Sequence, residues 1–164
     1  MNFEDAFPEV MSKGGFDAVV GNPPYLKLTL NSMKPPAAKY YQAKYKSIQR
    51  GSSKNLFQLF IEKCLTLNPQ MFSFIVPEAI LTTSSNGLLR KLILEKMALK
   101  TLVVFDNFVF QDATIGSTIF VLSNSHKQEY VIVEKLKENG DRTKIKSIQI
   151  ETPSINPWET SSLN

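Results

Sequence analysis

A run of four residues, Asn22-Pro23-Pro24-Tyr25, carries the clearest chemical signal in the sequence. The Asn22 side chain and the Pro23 backbone each offer a carbonyl oxygen, which is a hydrogen-bond acceptor. The two prolines fix φ and contribute no amide hydrogen, so the turn is stiff and points its acceptors outward. Two acceptors aimed at the hydrogens of a planar amino group would expose the nitrogen lone pair to a methyl donor. The ring of Tyr25 would meanwhile stack on the substrate.

The element that precedes this tetrapeptide decides where it lies. Residues 16–20 form a short apolar run that ends at Gly21, which is typical of a buried strand. Ligands of open α/β sheets bind beyond the carboxyl ends of the strands. The sequence therefore predicts that the tetrapeptide lies at this rim. The competing interpretation is a diproline turn in which Asn22 only caps the local backbone.

A basic segment with interleaved tyrosines follows the tetrapeptide. No acidic residue occurs between Asp17 and Glu62. Such a composition suits a phosphate backbone and unstacked bases, although the segment taken alone fits a solvated surface loop better. Its cations are Lys27, Lys34, Lys39, Lys44, Lys46, Arg50 and Lys54.

The remaining chain alternates strand and helix patterns. Residues 26–53 are expected to form a long loop, with a short helix near 37–48. Helical apolar spacing over 55–67 predicts a helix that Ser53 could cap, and a second helix is predicted in the later part of 77–97. Strands are predicted at 71–76, 101–105, 118–122, 130–133 and 144–150. This rhythm indicates a doubly wound α/β sheet with an antiparallel hairpin at one edge.

Composition narrows the class of protein. The net charge is +4, and 43% of the residues are hydrophobic, as in an ordinary globular domain. No apolar run is long enough to span a membrane, and the acidic N-terminus does not resemble a secretory signal. The single cysteine, Cys64, fits a reducing cytoplasm, and the single histidine gives no metal site. We expect one domain over 1–150 and a linker over 151–164, leading toward a specificity region.

The segment from Gly15 to Tyr25 resembles motif IV of the gamma-class adenine-N6 DNA methyltransferases of restriction–modification systems, including fused restriction–methylation proteins. Further similarity to this family follows in order along the chain, at 7–10, 55–63, 72–77, 105–110 and 118–122. The resemblance implies an enzyme that transfers a methyl group from S-adenosylmethionine to a flipped-out adenine of double-stranded DNA.

The resemblance also implies a role for individual residues. Asn22 and the Pro23 carbonyl would bind the target amine, and Tyr25 would stack on the extruded adenine. Phe110 would pack against the other side of that base, although Phe105 or Phe108 could take its place. Phe60 would lie near the adenine of the cofactor, although its spacing fits a core position equally well. The cations of the basic segment would contact DNA.

Part of the family's pattern is not found in this sequence. No strand followed by a Gly-rich turn and a helix precedes Asn22. The expected fold is therefore a partial Rossmann-like methyltransferase sheet that contains the late strands and the edge hairpin, without the N-terminal cofactor-binding half. We expect the chain alone to be marginally stable and inactive, with the missing half and a specificity domain or subunit as partners.

Alternative functions stay open at this point. Asn-Pro-Pro-Tyr also occurs in methyltransferases that act on glutamine amides of release factors or on RNA bases, since all of these substrates present a planar nitrogen. The basic segment and residues 7–10 favour DNA adenine. A non-catalytic remnant or partner-binding subunit is the other alternative, and the missing cofactor motif favours it.

Overall fold

The computed structural model describes residues 2–29, 34–49, 54–105, 116–125, 130–137 and 140–149. Short turns of 3-10 helix occur at Lys46–Ile48 and Ser84–Asn86. The helices are α1 (Phe3–Ala6), α2 (Pro8–Ser12), α3 (Pro35–Lys44), α4 (Leu56–Leu67), α5 (Ala79–Thr82) and α6 (Gly87–Lys96). The strands are β1 (Ala18–Gly21), β2 (Met71–Pro77), β3 (Ala98–Phe105), β4 (Ser117–Ser123), β5 (Tyr130–Leu136) and β6 (Arg142–Gln149).

The strands form a single mixed sheet in the order β1-β2-β4-β3-β5-β6. Parallel pairing joins β1 to β2 and β3 to β5, whereas β4 runs antiparallel to both of its neighbours. The α/β class is thus confirmed. The antiparallel pair β5–β6 at one edge confirms the predicted hairpin. Insertion of β4 between β2 and β3 does not follow from the order of elements along the chain.

One face of the sheet builds the main core. A row of directly paired residues on this face runs through Phe74, Phe120, Leu102 and Val133, all of which are buried. Helices α4, α5 and α6 cover them with buried aliphatic and aromatic side chains. This face holds the largest set of buried apolar side chains and accounts for most of the hydrophobic stabilisation of the described chain.

The opposite face of the same strands is only partly covered. Its central row runs from Val20 through Ser73, Val121 and Thr101 to Ile132. Val20 is 80% exposed and Ile132 is 38% exposed, and the residues between them are only half-buried. The helix residues of the main core pack against the other face. The described helices therefore leave part of this face, including Val20 and Ile132, exposed.

Helix α4 begins differently from the prediction. Its N-cap is Asn55, whose Oδ1 accepts a hydrogen bond from the Phe57 amide at 3.4 Å. Gln58 completes a capping box by accepting from the Asn55 amide at 2.8 Å. Naming Ser53 as the cap was therefore wrong, because Asn55 already supplies the side-chain acceptor at the correct spacing. Asn68, in the left-handed region with φ 47°, ends the helix.

Two parts of the chain are more regular than expected. Helices α1 and α2 precede β1 and were not predicted, and an aromatic cluster of Phe3, Phe7 and Phe16 joins them to the start of that strand. The expected long loop contains α3 and a 3-10 turn, so the short helix near 37–48 is confirmed. Much of the basic segment is thus helical.

In the part of the chain that the structure describes, no helix is long and apolar enough to cross a membrane. Those residues also contain no cluster of three His, Cys, Asp or Glu side chains that could hold a metal ion. The linker expected over 151–164 lies outside the described residues, so the division into domains stays a prediction.

Candidate functional site

The tetrapeptide Asn22–Tyr25 follows β1 at the rim where β1 and β2 both end. Glu78, directly after β2, donates its amide hydrogen to the carbonyl of Gly116 at 2.8 Å, which ties the start of β4 to the same rim. Asn22 is exposed and makes no hydrogen bond to another described residue, whereas Pro23 is buried. At this rim, the Asn22 amide is therefore exposed and available for hydrogen bonding, and the buried Pro23 anchors the turn that carries it.

A close approach between Gly21 and Phe74 fixes where this turn begins. A Cβ atom at Gly21 would lie 2.8 Å from Cε1 of the Phe74 ring on the neighbouring strand. The Phe74 ring is buried, and its centroid is 4.6 Å from that of Phe72. The ring cannot move away without disturbing the core, so the position before Asn22 requires a glycine.

Tyr25 is half-buried and packs against the main core. Burial raises the pKa of its hydroxyl, and the neighbouring Ser117 hydroxyl has a smaller opposite effect on this pKa. The two hydroxyl groups are close enough to interact, yet neither reaches a hydrogen-bonding geometry with a described residue. Tyr25 is therefore a neutral phenol whose ring, rather than its hydroxyl, contributes to the rim.

A cavity of about 220 Å³ lies beside the Tyr25 ring. Its polar lining is a connected network in which Gln58 donates to Asn86 Oδ1 at 2.7 Å. Asn86 in turn donates to the Ala79 carbonyl at 3.1 Å and to Thr83 Oγ1 at 2.8 Å. Since Gln58 and Asn86 are both buried, the network holds the start of α4 against the segment after β2. It thereby sets the shape of the space next to Tyr25.

Phe60 faces a second cavity, of about 270 Å³, which is mostly apolar. The ring is 46% exposed, so the interpretation of Phe60 as a core residue is wrong. Cys64 lines the same cavity, and burial raises the pKa of its thiol to about 11. The remaining lining residues are Phe3, Tyr41, Tyr45, Leu56, Leu59, Lys63 and Leu67.

The Phe60 cavity suits only part of a nucleoside cofactor. An exposed aromatic ring beside an apolar hollow is a suitable surface for a planar base such as adenine. Its lining residues, however, include no carboxylate that could bind ribose hydroxyls. The described residues of this cavity thus suit a planar base, while an attached ribose would need groups from elsewhere.

The lysines predicted to contact DNA lie on and around α3. Lys27, Lys34, Lys39, Lys44 and Lys46 are exposed, and Lys54 is half-buried. Lys44 Nζ lies 5.3 Å from the centroid of the Tyr40 ring, which is 53% exposed. The outer side of α3 thus presents cations together with an accessible aromatic ring, as the composition of the segment suggested.

The structure brings together some of the predicted residues and separates others. Tyr25 and the start of the basic segment are adjacent, since Lys27 forms a backbone bridge with Asn55, which lines the Tyr25 cavity. Phe60 lies in a different cavity from Tyr25. Phe110 and Arg50 lie outside the described residues, so their roles stay predictions.

Sequence reasoning missed several residues that shape this site. Gly21 could have been singled out because glycine directly before a diproline turn signals a close approach. Asn55 and Gln58 stand at the spacing of a capping box, which was also readable. The contact of Gln58 with Asn86 gave no local signal, because these residues are 28 positions apart.

Comparisons with known proteins identify the family of this chain. The family model described as Eco57I restriction-modification methylase matches residues 1–110. The type II restriction enzyme and methyltransferase RM.Eco57I of Escherichia coli is 28% identical over 138 residues, which cover 80% of this chain and 14% of that protein. The chain therefore spans about one seventh of the length of this relative.

Solved structures share the fold at low sequence identity. The type IIL restriction-modification enzyme MmeI in complex with DNA aligns with a TM-score of 0.63 and 14% identity, covering 93% of this chain and 20% of that one. A Listeria monocytogenes protein assigned to the class I S-adenosylmethionine-dependent methyltransferases aligns with a TM-score of 0.59 and 16% identity. The alignment covers 76% of this chain and 38% of that one. These alignments show a class I methyltransferase fold.

Proposed function

The chain belongs to the Eco57I restriction-modification methylase family, and from that premise we propose that it carries the target-base site of a DNA methyltransferase specific for the N6 nitrogen of adenine. The observation that carries the proposal is the exposed Asn22 side chain on a rigid turn beside the Tyr25 cavity. This rim is where ligands of open α/β sheets bind.

The proposed chemistry is alkylation of an exocyclic amine. The two N–H groups of the adenine N6 donate to Asn22 Oδ1 and to the Pro23 carbonyl, which turns the nitrogen lone pair away from the ring. S-adenosylmethionine, the methyl donor, supplies an electrophilic methyl group on a sulfonium. A new N–C bond forms as the S–C bond breaks, and the nitrogen then loses one proton to solvent. Positioning and electrostatics are sufficient, since Asn22 is neutral throughout.

An adenine within a duplex cannot reach this turn, so we propose that the base is extruded. The Tyr25 ring stacks on the extruded base, which suits a side chain whose hydroxyl is buried and whose ring borders the cavity. Phe110, on the connection between β3 and β4, packs against the base from another side. Such stacking stabilises an unpaired base by about 1–3 kcal/mol.

Double-stranded DNA is the proposed partner of the basic segment. Lys27 follows the tetrapeptide almost directly, and its backbone bridge to Asn55 places the start of the exposed basic segment beside the Tyr25 cavity. Lysine contacts to phosphates orient the duplex and carry no sequence information. The cognate site would therefore be read by a specificity region.

The cofactor half of the domain is the second proposed partner. The Phe60 cavity would hold the adenine of S-adenosylmethionine, and a segment with a Gly-rich turn would hold the rest of the cofactor. Such a segment would add a parallel strand beside β1 and helices over the partly covered face, where Val20 is exposed. The aligned part of the Listeria methyltransferase is only 38% of that chain, which supports a further contribution to the domain.

The test is transfer of labelled methyl groups from S-adenosylmethionine to duplex DNA, followed by nucleoside analysis. The chain would be assayed alone and within a polypeptide that supplies the cofactor half. We expect N6-methyladenine only in the second case, and a loss of at least about 100-fold in rate for Asn22→Ala. Asn124→Ala, at the opposite end of the sheet, is the matched control and should keep the rate.

Each alternative result has a defined meaning. Methylation by the chain alone would contradict the need for a second half while supporting the site. Label on cytosine would overturn the adenine assignment, and so would transfer to RNA or to protein glutamine when these replace duplex DNA in the assay. An Asn22→Ala variant as active as Asn124→Ala would remove the tetrapeptide from the mechanism.

A further inference from the structure

Backbone hydrogen bonds join the beginning of the basic segment to its end. Leu28 donates to the Lys54 carbonyl at 2.8 Å, and Leu56 donates to the Leu26 carbonyl at 2.8 Å. Lys27 and Asn55 form the bridge between them. The chain from 28 to 54, hereafter the basic excursion, therefore leaves and rejoins the fold at one neck beside the Tyr25 cavity. Its described residues are 28–29, 34–49 and 54.

The basic excursion has an inner and an outer side. Ala38, Tyr41 and Tyr45 pack inward on a small cluster formed by Leu28, Ile48 and Leu59. Lys39, Tyr40 and Lys44 point outward and are exposed. The inner tyrosines also form one wall of the Phe60 cavity. How firmly the excursion docks on α4 therefore decides both the arrangement of its lysines and the closure of that cavity.

Glu62 on α4 forms a polar anchor for this docking. Its Oε1 accepts from the Lys46 amide and its Oε2 accepts from the Ser47 amide, each at 2.8 Å. These amides open the 3-10 turn Lys46–Ile48, which has no cap from its own residues. A carboxylate that satisfies unpaired amides at the start of a helical turn forms charge-assisted bonds, which are about twice as strong as neutral ones.

We propose that Glu62 is a positioning residue that holds the basic excursion in the orientation that binds DNA. This inference rests on the proposed function of the lysines as phosphate contacts. It goes beyond that function in assigning an acidic side chain a role in favour of DNA binding. Simple electrostatics predicts the opposite, because removing a negative charge near a polyanion site should strengthen binding. Removal of the Glu62 carboxylate should therefore weaken DNA binding if the residue positions the basic excursion, and strengthen it if only its charge matters.

Cys64 provides a built-in reporter of docking. It is the single cysteine of the chain, and it lies in the cavity that Tyr41 and Tyr45 wall. A half-buried thiol whose pKa is raised reacts slowly at neutral pH, and release of the excursion would expose it. The rate of maleimide labelling in the native chain measures this release without any engineered probe.

The experiment compares Glu62→Ala and Glu62→Gln with Glu95→Ala and Glu95→Gln. Glu95 lies exposed on α6 in a 3.9 Å ion pair with Lys91, so its variants change the charge equally without touching the excursion. Each protein is tested for Cys64 labelling, for hydrogen exchange at the Lys46 and Ser47 amides, and for duplex DNA binding over a range of salt concentrations.

For Glu62→Ala we expect labelling to accelerate at least about tenfold, because both hydrogen bonds of the carboxylate are lost and one charge-assisted bond already corresponds to that factor. The slope of log K against log salt should fall by about 2, as when two phosphate contacts are lost. Glu62→Gln, which keeps one acceptor oxygen, should recover part of both effects. The Glu95 variants should behave as the wild type does. General destabilisation would lower the active fraction without changing the slope, so it does not mimic this result.

Other outcomes overturn the proposal. Unchanged Cys64 labelling and amide exchange in Glu62→Ala would show that the carboxylate does not hold the excursion. Faster labelling with an unchanged salt slope would remove Glu62 from DNA binding, although the anchor itself would stand. A wild-type chain without salt-dependent DNA binding would instead contradict the proposed function of the lysines, and with it the role of Glu62 in that function.

Discussion

At the scale of single residues, the site depends on hydrogen-bonding groups without a partner among the described residues and on a position without a side chain. Asn22 makes no hydrogen bond to another described residue, which leaves its amide available to a ligand. The Tyr25 hydroxyl is buried without a hydrogen-bonding partner in the described chain, so the phenol acts through its ring. Gly21 has no Cβ, and the Phe74 ring occupies that space. Together these features leave the turn rigid and its acceptor open.

The close approach at Gly21 gives a stability prediction. Gly21→Ala should lower the free energy of unfolding by about 1–3 kcal/mol, because the added methyl group overpacks against the buried Phe74 ring. The matched control is Gly87→Ala. Gly87 has a helical φ of −57°, and the nearest atom to a Cβ added there would be Arg90 Nη2 at 3.8 Å. Alanine there should stabilise α6 by roughly 0.5–1 kcal/mol.

Urea denaturation of both variants measures these effects. Opposite signs for the same substitution would separate the loss of space at Gly21 from the general effect of replacing glycine. If Gly21→Ala were as stable as the wild type, the Phe74 ring would have to yield, and the glycine would have another reason to precede Asn22.

At the scale of secondary structure elements, polar contacts between distant parts of the chain arrange the site. The Gln58–Asn86 bond joins the first turn of α4 to the segment between β2 and α6. The Glu62 carboxylate joins α4 to the 3-10 turn of the basic excursion. Helix α4 is thus the common support of the Tyr25 cavity, the Phe60 cavity and the excursion.

Loss of the Gln58 side chain should therefore be costly. Gln58→Ala removes the hydrogen bonds to the Asn55 amide and to Asn86 Oδ1, and it leaves a cavity in a site that is 2% exposed. We expect a loss of about 2–4 kcal/mol in the free energy of unfolding. Gln49→Ala is the control, because that exposed side chain makes one 3.0 Å bond to the Gln42 carbonyl.

Thermal and urea unfolding of both glutamine variants provide the measurement. The control should change stability by less than about 0.5 kcal/mol. Equal effects at the two positions would mean that the buried network contributes no more than a surface bond.

At the scale of the whole molecule, helices cover one face of the sheet and leave part of the other face exposed. Helices and buried aromatic rings cover the first, while Val20 and Ile132 are exposed apolar side chains at the two ends of a row on the second. Positive charge is concentrated on the excursion, at the rim where the tetrapeptide lies. The described chain therefore offers one surface suited to nucleic acid and another suited to protein.

The partly covered face predicts self-association of the chain when it is studied alone. Val20→Lys combined with Ile132→Lys should weaken this association at least about tenfold, since burying unpaired ammonium groups is strongly unfavourable. Leu94→Lys is the control, because Leu94 is 36% exposed on α6, a helix of the covered face. Sedimentation velocity over a range of concentrations measures the effect. Equal weakening by Leu94→Lys, or a monomeric wild-type chain, would contradict the prediction.

The sequence by itself determined the features that arise from neighbouring residues. The stiffness and acceptors of Asn22–Tyr25, the alternation of strands and helices, the β5–β6 hairpin and the cationic character of the excursion are all local properties, and local composition and spacing encode them. The capping box of α4 is also encoded locally, by the spacing of Asn55 and Gln58.

The tertiary structure alone decided which distant parts meet. An alternating apolar pattern states that a strand has two faces, but it does not say which strand lies beside it, so the insertion of β4 between β2 and β3 had no local signal. The Glu62–Ser47 and Gln58–Asn86 bonds join residues 15 and 28 positions apart. They form only after the sheet and α4 have packed, because each depends on desolvation and distances that the whole fold sets.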